Sequence, residues 1–317
     1  MSSYITSITE IIGNSPLLRL DKIKEHFSYD GNIYAKLEHL SPGFSKKDRV
    51  ALHMINMAEK RGTLKPGQTV LEMTSGNTGI GVAIVCAAKG YKFLCVMSAG
   101  NSEERAKMIE AFGGEVVLIE QAPGGIKGQP TGKDLELVEA AAIKLVEETG
   151  AFFLNQFVNP DNIAAQSIAA EEMWEQSDGK IQVFADYAGT GGTFTGYGRA
   201  LKKRNPSVKC YIVEPYGSAY YKKEMLKDVC HTIQGGGYGK EIAAVDESLI
   251  DGIEVVTSED AIKMTRLLAK LEGVFAGFSS GANLAAAINL LNNAEKGKNI
   301  GITINDCGLK YMSTDLF

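Results

Sequence analysis

Residues 45–55 read Ser-Lys-Lys-Asp-Arg-Val-Ala-Leu-His-Met-Ile, with two adjacent lysines at the predicted start of a helix. A strand-like segment at 33–37 and the turn-forming residues Ser41-Pro42-Gly43-Phe44 precede it, which places Lys46 and Lys47 at the helix N-terminus. The positive end of a helix dipole disfavours an ammonium group and lowers its pKa, which suits an amine that must be neutral to attack a carbonyl. A solvated basic surface helix is an equally good interpretation of this stretch alone.

A glycine-rich turn, Gly189-Thr190-Gly191-Gly192-Thr193, follows an apolar strand-like run and opens a predicted helix. Successive backbone N–H groups, the helix dipole and the Thr hydroxyls form a cup for an anion at such a turn. The turn lacks the Lys-Ser/Thr ending of a nucleotide P-loop and the six-residue dinucleotide spacing. A phosphate site is therefore favoured over an ATP or NAD site, although a glycine turn alone is weak evidence.

Two more strand-to-helix junctions carry short polar side chains. Thr74-Ser75-Gly76-Asn77-Thr78-Gly79 offers free amides and hydroxyls that suit a carboxylate, and Ser279-Ser280-Gly281 starts a helix after Val274-Phe275-Ala276-Gly277. Capping of the two helices by Ser, Thr or Asn would produce the same residues. The sequence of these junctions leaves both interpretations open.

The lysine motif Ser45-x-Lys47-Asp48-Arg49 is followed along the chain by the junctions at 74–79, 189–193 and 279–281. These four motifs in this order resemble the cysteine synthase and cystathionine β-synthase family. These enzymes use pyridoxal 5′-phosphate (PLP) on the fold type II scaffold. The similarity extends from Asn14-Ser15-Pro16-Leu17 to the terminal Ser313-Thr314-Asp315-Leu316-Phe317, which is nearly the whole chain.

The resemblance implies a role for each matching residue. Lys47 forms the internal Schiff base with PLP, residues Gly189, Thr190, Gly191, Gly192 and Thr193 hold its phosphate, and Asn77 bonds its 3′-oxygen. Ser279 meets the pyridine nitrogen. A neutral hydroxyl does not hold this nitrogen protonated as an aspartate would, so a weak electron sink is expected. The substrate carboxylate is held by Thr74, Ser75, Gly76, Thr78 and Gln156.

The implied reaction is β-replacement on a serine-type amino acid through an aminoacrylate. O-acetylserine plus sulfide giving cysteine and acetate is the leading candidate, which makes the protein a transferase of cysteine biosynthesis. The alternatives are β-replacement with another nucleophile, cysteine breakdown that releases sulfide (a lyase activity), and a non-catalytic scaffold. The resemblance also implies a homodimer.

Apolar, strand-like runs lie at 33–37, 70–71, 93–97, 116–119, 183–185, 210–213 and 300–303. They alternate with helical segments at a spacing of about 25 residues, which predicts an α/β protein with largely parallel sheets. The resemblance implies two α/β domains with the cofactor between them. The larger domain comprises 1–45 and 151–317, and a smaller, mobile domain, 46–150, is inserted in it. The glycine- and proline-rich segment 121–132 is interpreted as a surface loop.

Composition excludes several classes of protein. The 317 residues, 44% of them hydrophobic, contain no window near the ~20 apolar residues of a membrane span. A net charge of −5 argues against nucleic acid as a partner. The five cysteines show no zinc-ligand or disulfide spacing, so no metal is expected. The N-terminus lacks a signal-like pattern, so a cytoplasmic location is expected.

Several positions depart from the family pattern. Lys46 replaces an apolar residue, and because adjacent helix residues point about 100° apart, only one of the two lysines is expected to face a common site. Met73 stands where proline is common, the segment 161–171 lacks a Thr-Thr-Gly-Pro sequence, and Gly235-Gly236-Gly237-Tyr238 replaces Gly-Ile-Gly-Ala. Tyr238 offers a hydroxyl to a larger or more polar substrate. These departures leave the substrate more open than the cofactor. No histidine is given a chemical role.

Overall fold

The protein is described from a computed structural model that covers residues 4–74, 76–125, 131–223 and 231–317. Ten strands lie in these ranges: β1 Leu17–Arg19, β2 Asn32–Lys36, β3 Thr69–Met73, β4 Lys92–Ser98, β5 Glu115–Ile119, β6 Phe152–Phe153, β7 Val183–Tyr187, β8 Lys209–Pro215, β9 Gly252–Val256 and β10 Asn299–Thr303. The predicted strands at 33–37, 70–71, 93–97, 116–119, 183–185, 210–213 and 300–303 are confirmed, whereas β1, β6 and β9 were not predicted.

Nine α-helices lie in the same ranges: α1 Asp21–Phe27, α2 Lys47–Arg61, α3 Asn77–Lys89, α4 Glu103–Ala111, α5 Gly132–Thr149, α6 Pro160–Gln176, α7 Gly192–Arg204, α8 Ser258–Leu267 and α9 Phe278–Asn292. A π-helical turn, Leu268–Glu272, continues α8. Among the described residues, no helix is both long and apolar enough to cross a membrane.

The strands form two sheets, and the predicted α/β class with largely parallel sheets is confirmed. The larger sheet has the order β1-β2-β10-β7-β8-β9, in which β1 is antiparallel to β2 and every other pair is parallel. The smaller sheet has the order β5-β4-β3-β6 and is parallel throughout. Its last strand, β6, lies just beyond residue 150, while the division into domains at 46 and 150 stays a prediction.

Apolar side chains bury the helices against each sheet. In the larger sheet, Ala185 and Ile302 belong to the same core cluster as Leu284 of α9. Next to the smaller sheet, Val50 and Met54 of α2 and Val85 of α3 belong to one core cluster. Each fully buried aliphatic side chain contributes about 1.5–3 kcal/mol, so α2, α3 and α9 are fixed by their apolar faces.

Local capping separates two groups of helices. Thr131, Asn159 and Thr257 cap α5, α6 and α8 with side-chain oxygens. The helices α2, α3, α7 and α9 begin without a side-chain cap. The first N–H groups of α3, α7 and α9 are therefore not taken by a capping side chain, which suits binding of anions at these N-termini. In α2, the N–H of Lys47 donates to Ser45 Oγ at 3.3 Å.

Candidate active site

One cleft is lined by the starts of α2, α3, α7 and α9, and it encloses about 1110 Å³ of empty space, part of which is open to solvent. It brings together Lys47, Thr74, Asn77, Thr78, Gln156, Gly189, Thr190, Gly191, Thr193 and Ser279, all of which were predicted as site residues. Gly76 and Gly192 flank these residues in the chain. Ser75 lies outside the described residues.

Lys47 is the first residue of α2, and its amine connects two of the predicted subsites. The Nζ atom lies 3.2 Å from Gln156 Oε1 and 3.2 Å from Thr190 Oγ1. Burial, followed by the charge of Lys46, lowers the pKa of Lys47 to about 7. The predicted direction of the pKa shift is confirmed, although the causes are burial and a like charge. An amine with this pKa is largely neutral at pH 8 and can act as a nucleophile or a base.

The expectation that only one lysine faces the site is wrong, because Lys46 also lines the cleft. Lys46 is the residue before α2. The rotation of about 100° between successive helix residues therefore does not set the direction of its side chain. Its ammonium group lies 3.1 and 3.2 Å from the two carboxylate oxygens of Asp186, at the buried C-terminal end of β7. The two amines therefore differ: Lys46 is paired with a carboxylate, and Lys47 has two neutral partners.

The two residues after Lys47 anchor the start of α2. Arg49 donates two hydrogen bonds to Glu38 and two to Glu172 of α6. Burial alone would raise the pKa of Glu172, but the hydrogen bonds and charges of Arg49 and Lys36 hold it at about 2. Asp48 accepts the backbone N–H of Gly43 at 2.5 Å, and burial raises its pKa to about 7. This network keeps α2 in place relative to α6.

Gln156 and Thr78, both predicted to hold the substrate carboxylate, contact each other in the cleft. Thr78 Oγ1 donates to Gln156 Oε1 at 2.6 Å, and Gln156 Nε2 donates to the carbonyl of Met73 at 3.3 Å. Thr74 Oγ1 accepts the N–H of Gly76 at 3.0 Å. A Cβ on Gly76, whose φ is +125°, would lie 2.3 Å from Arg105 Cδ, so only glycine fits there.

Asn77 is held between two charged groups. Its Nδ2 donates to Asp306 at 2.7 Å, and its Oδ1 accepts from the ammonium group of Lys310 at 2.8 Å. Both partners lie in the segment that follows β10 of the larger sheet. Asn77 therefore connects α3, which follows β3 of the smaller sheet, to that segment. Its side chain faces the cleft with a fixed orientation.

The glycine turn between β7 and α7, which was predicted to hold a phosphate, requires glycine at two positions. A Cβ on Gly189 would lie 2.4 Å from the carbonyl oxygen of Gly235, and Gly191 has a φ of +84°. Thr190 Oγ1 accepts from Asn162 Nδ2 at 3.1 Å. Asn162 belongs to the segment that lacks the family's Thr-Thr-Gly-Pro sequence, so that departure directly contacts the site.

Sequence reasoning missed several residues of the cleft. They include Leu135 and Val138 of α5, Asp186, His231 and Asn305. His231 Nε2 lies 2.8 Å from the carbonyl of Gly237, whereas the sequence analysis gave no histidine a role. The position of Asp186, a charged residue inside the apolar run Val183–Tyr187, is a signal in the sequence that could have identified it. Tyr238, Gly235 and Gly236 also line the cleft, so the altered Gly235–Tyr238 segment borders it.

Segment 121–132 is only partly a loop. Gly132 begins α5, Ala122 donates its N–H to Asp134 at 2.7 Å, and residues 126–130 lie outside the described ranges. Within those ranges no three or more His, Cys, Asp or Glu side chains are grouped to hold a metal ion.

Comparison with known proteins identifies the class to which this geometry belongs. Residues 8–306 match the model of the family described as pyridoxal-phosphate dependent enzyme. The chain belongs to this family, and it is a PLP-dependent enzyme of the cysteine synthase type. The residues present fit the cofactor. The cleft offers Lys47 with a pKa of about 7, a glycine turn at the start of α7, which has no side-chain cap, and the hydroxyl of Ser279.

The individual relatives narrow this class. The cysteine synthase of Staphylococcus aureus is 39% identical over 318 aligned residues, covering 99% of this chain and 97% of the relative. The crystal structure of O-ureido-L-serine synthase superimposes with a TM-score of 0.88 at 35% identity, over 99% of this chain and 95% of the other. A hydrogen sulfide-producing enzyme from Fusobacterium nucleatum gives a TM-score of 0.87 at 38% identity, over 98% and 100%.

Proposed function

We propose that this enzyme carries out β-replacement on O-acetylserine, with sulfide as the nucleophile. The Cβ–O bond breaks, acetate leaves with the electron pair, and sulfide forms a Cβ–S bond to give cysteine. The observation that carries the proposal is the position of Lys47, within 3.2 Å of both Gln156 and Thr190. An amine there lies between the groups assigned to the substrate carboxylate and those assigned to the phosphate.

Lys47 has two assigned tasks in this proposal. It attaches PLP in the resting enzyme, and as a free amine it accepts the Cα proton of the substrate. Bound PLP supplies the electron withdrawal that makes this proton acidic. A pKa of about 7 keeps the amine largely neutral above that pH, so it accepts the proton without prior activation.

The remaining assignments follow the chemistry of each subsite. Thr74, Ser75, Gly76, Thr78 and Gln156 orient the substrate carboxylate. The turn from Gly189 to Thr193 holds the phosphate through backbone N–H groups at the start of α7, Asn77 bonds the 3′-oxygen, and Ser279 meets the ring nitrogen. The fixed partners of Asn77 and Gln156 support these roles, because a positioned donor loses little entropy on binding.

A second candidate is β-replacement with a different nucleophile, or cysteine breakdown that releases sulfide. The observation in its favour is the wall formed by Tyr238, His231 and the Gly235–Gly236 turn, which borders the same cleft. Sulfide does not require such a wall. The similarity to an O-ureido-L-serine synthase and to a hydrogen sulfide-producing enzyme is in line with this alternative.

The two candidates are separated by steady-state kinetics on the PLP-loaded enzyme. We expect O-acetylserine plus sulfide to give a kcat/KM of at least about 10⁴ M⁻¹s⁻¹ and to exceed cysteine alone and serine plus thiols. A much lower value, together with faster turnover of another pair, would transfer the assignment to the second candidate. If no visible absorbance stays with the protein after unbound PLP is removed, both candidates are rejected.

We further propose that the protein is a cytoplasmic homodimer and that 46–150 forms a small domain inserted between 1–45 and 151–317. The grouping of β3, β4 and β5 in one sheet supports the division, since these strands pair only with one another and with β6 among the described residues. Sedimentation of the purified protein tests the dimer.

A further inference from the structure

Glu72 places a carboxyl group in the interior of the smaller sheet. It belongs to β3, which lies between β4 and β6, and it is fully buried. Its Oε1 atom accepts the backbone N–H of Gln156 at 3.4 Å, whereas Oε2 has no hydrogen-bond partner among the described residues. Removing an ionised carboxylate from water costs several kcal/mol unless a cation and further donors compensate it. The burial and incomplete hydrogen bonding of Glu72 therefore favour its neutral, protonated form.

The groups that surround Glu72 compensate its charge only in part. Val70 and Cys95 lie on the same face of the sheet and belong to the apolar cluster that packs α2 and α3 against it. Burial raises the pKa of the Cys95 thiol well above its usual value, so this neighbour stays uncharged. From α2, Lys47 faces Glu72 as a cation whose own charge is disfavoured by burial. Burial raises the pKa of Glu72 to about 8, and the Gln156 N–H and the charge of Lys47 oppose this shift.

Glu72 is one of two side chains that hold the backbone of Gln156. Glu72 accepts the Gln156 N–H, and Asn162 Nδ2 donates to the Gln156 carbonyl at 2.8 Å. The preceding residue, Asn155, has a φ of +49°, in the left-handed region that residues other than glycine adopt infrequently. The conformation of this segment therefore depends on contacts from outside it. Because its backbone is held, Gln156 can present its side chain to the cleft, where Oε1 accepts from Thr78 at 2.6 Å.

We propose that Glu72 is a positioning residue of the carboxylate subsite, the set of residues that hold the substrate carboxylate. As a neutral acid it keeps Gln156 in place, and when it loses its proton to solvent it weakens binding of the substrate. The negative charge then lies against the backbone of Gln156, whose side chain holds a second negative charge. Two like charges repel strongly where little water separates them. The inference rests on the proposed function, because it takes from it the binding of the substrate carboxylate by Gln156.

The same ionisation acts on the amine of Lys47. A negative charge on Glu72 raises the pKa of Lys47, so the amine holds its proton more tightly and is a less available base. A site that depended on a neutral lysine alone would only gain from a rise in pH. Glu72 adds an opposing effect, since both substrate binding and the neutral amine are disfavoured once it is ionised. It therefore sets an upper limit to the pH range in which the site binds its substrate.

The first test is infrared difference spectroscopy of the full-length, PLP-loaded enzyme between about pH 7 and about pH 9.5. A protonated carboxyl group has a C=O stretching band that an ionised one lacks, so this readout does not depend on activity. We expect the wild type to lose such a band with a midpoint at about pH 8. The band should be missing throughout in Glu72→Gln. Glu115→Gln is the matched control, because Glu115 is exposed on β5 of the same sheet, and this variant should keep the band.

The second test is calorimetric binding of L-glycerate, which has the carboxylate and hydroxyl of serine but no amine that titrates. In the wild type and in Glu115→Gln, its affinity should fall at least about tenfold between about pH 7 and about pH 9.5. In Glu72→Gln, which cannot ionise, the fall should be less than about threefold. Glu72→Met is apolar and similar in size, so it suits the buried position and keeps both tests valid if the amide variant does not fold. It should also lack the band and the large fall in affinity.

The outcomes separate the inference from the proposed function. A Glu72 band that disappears as pH rises, with a fall in L-glycerate affinity that the Glu72 variants abolish, supports the inference. A band that is missing at about pH 7 or persists at about pH 9.5 overturns it, and so does an equal fall in affinity in the wild type and Glu72→Gln. Neither result bears on the turnover of O-acetylserine with sulfide. If Gln156→Leu leaves L-glycerate affinity unchanged, the carboxylate binds elsewhere, and both the assignment of Gln156 and the inference fail.

Discussion

At the scale of single residues, the two adjacent lysines show how identical side chains acquire different chemistry. Lys46 lies against a carboxylate, whereas Lys47 contacts only the neutral oxygens of Gln156 and Thr190. Burial disfavours the ammonium form most strongly, the nearby charge of Lys46 adds to this effect, and the carboxyl groups of Glu72 and Asp186 oppose it only in part. Neither partner of Lys47 is near it in sequence, so the pattern at 45–49 predicted the direction of its pKa shift and not the cause.

The first prediction concerns the pKa of Lys47. In the enzyme stripped of PLP, competitive acetylation followed by peptide mass spectrometry should give Lys47 a titration midpoint at about pH 7, because the reagent reacts only with the neutral amine. Lys46→Met removes a like charge and should move this midpoint upward. Lys144, which is largely exposed, is the internal reference. A midpoint near that of exposed lysines, at about 10, would contradict the prediction.

The second prediction concerns Gln156, whose Oε1 accepts from both Thr78 and Lys47. Gln156→Leu should raise KM for the amino acid substrate about 10- to 100-fold, because a charge-assisted hydrogen bond to the carboxylate is worth about 1.5–3 kcal/mol. PLP content should change little. Gln68→Leu is the control, since Gln68 contacts only Lys65 and Gly150 at the surface. An unchanged KM would remove Gln156 from the carboxylate subsite.

At the scale of elements, the turn between β7 and α7 is where backbone conformation limits the sequence. The third prediction is that Gly191→Ala lowers PLP affinity at least about tenfold, because its φ is +84° and a Cβ would lie 2.8 Å from Val245 Cγ2. Gly67→Ala is the matched control: its φ is +76°, but no atom lies within 4 Å of the added Cβ. Equilibrium dialysis with PLP measures the difference. Equal affinities in the two variants would mean that close packing at Gly191 does not shape the site.

The fourth prediction concerns the connection of α2 to α6 through Arg49 and Glu172. Because the pKa of Glu172 in the folded protein is about 2, below its value of about 4.3 in the unfolded chain, its stabilisation is present above that higher value and is lost as pH falls toward 2. Glu172→Gln should therefore reduce the free energy of unfolding by about 3 kcal/mol at pH 7, and by much less near pH 2.

Urea unfolding at the two pH values measures this effect, and the chain offers a neighbouring control. Glu171 pairs with Arg204 at the surface, where both side chains are at least one-third exposed. Such a pair contributes about 0–1 kcal/mol, so Glu171→Gln should have a small effect at either pH. A pH-independent loss in Glu172→Gln would instead point to a packing defect.

At the scale of the whole molecule, the sequence predicts periodic elements well and contacts between distant segments poorly. The strands β3, β4, β7, β8 and β10 were visible as apolar runs, while β1, β6 and β9 were missed, since strands this short or this exposed do not show a clear alternation. The cleft residues were predicted because the lysine motif and the three junctions occur in the order that is typical of the family. Asp186 and Asn305 were missed because each contacts its partners only after β7 and β10 pair with each other.

The fifth prediction is a closing movement of the smaller sheet upon substrate binding. Thr74 and Thr78 lie at the end of β3 and the start of α3, whereas Thr190 and Ser279 belong to the larger sheet, so a carboxylate held by the first pair must be drawn toward a cofactor held by the second. The contacts of Asn77 with Asp306 and Lys310 provide a pivot between the two sheets. Closure would also exclude water from the reacting atoms.

Hydrogen exchange of backbone amides on the PLP-loaded enzyme, with and without a saturating serine-type amino acid, measures this movement. We expect new protection in residues 76–80 and in 131–138, because Thr78, Leu135 and Val138 line the cleft and closure would bury them further. Gln156→Leu should require a higher amino acid concentration for the same protection. Protection confined to 189–193, with 131–138 unchanged at saturation, would show that the carboxylate binds without moving the smaller sheet.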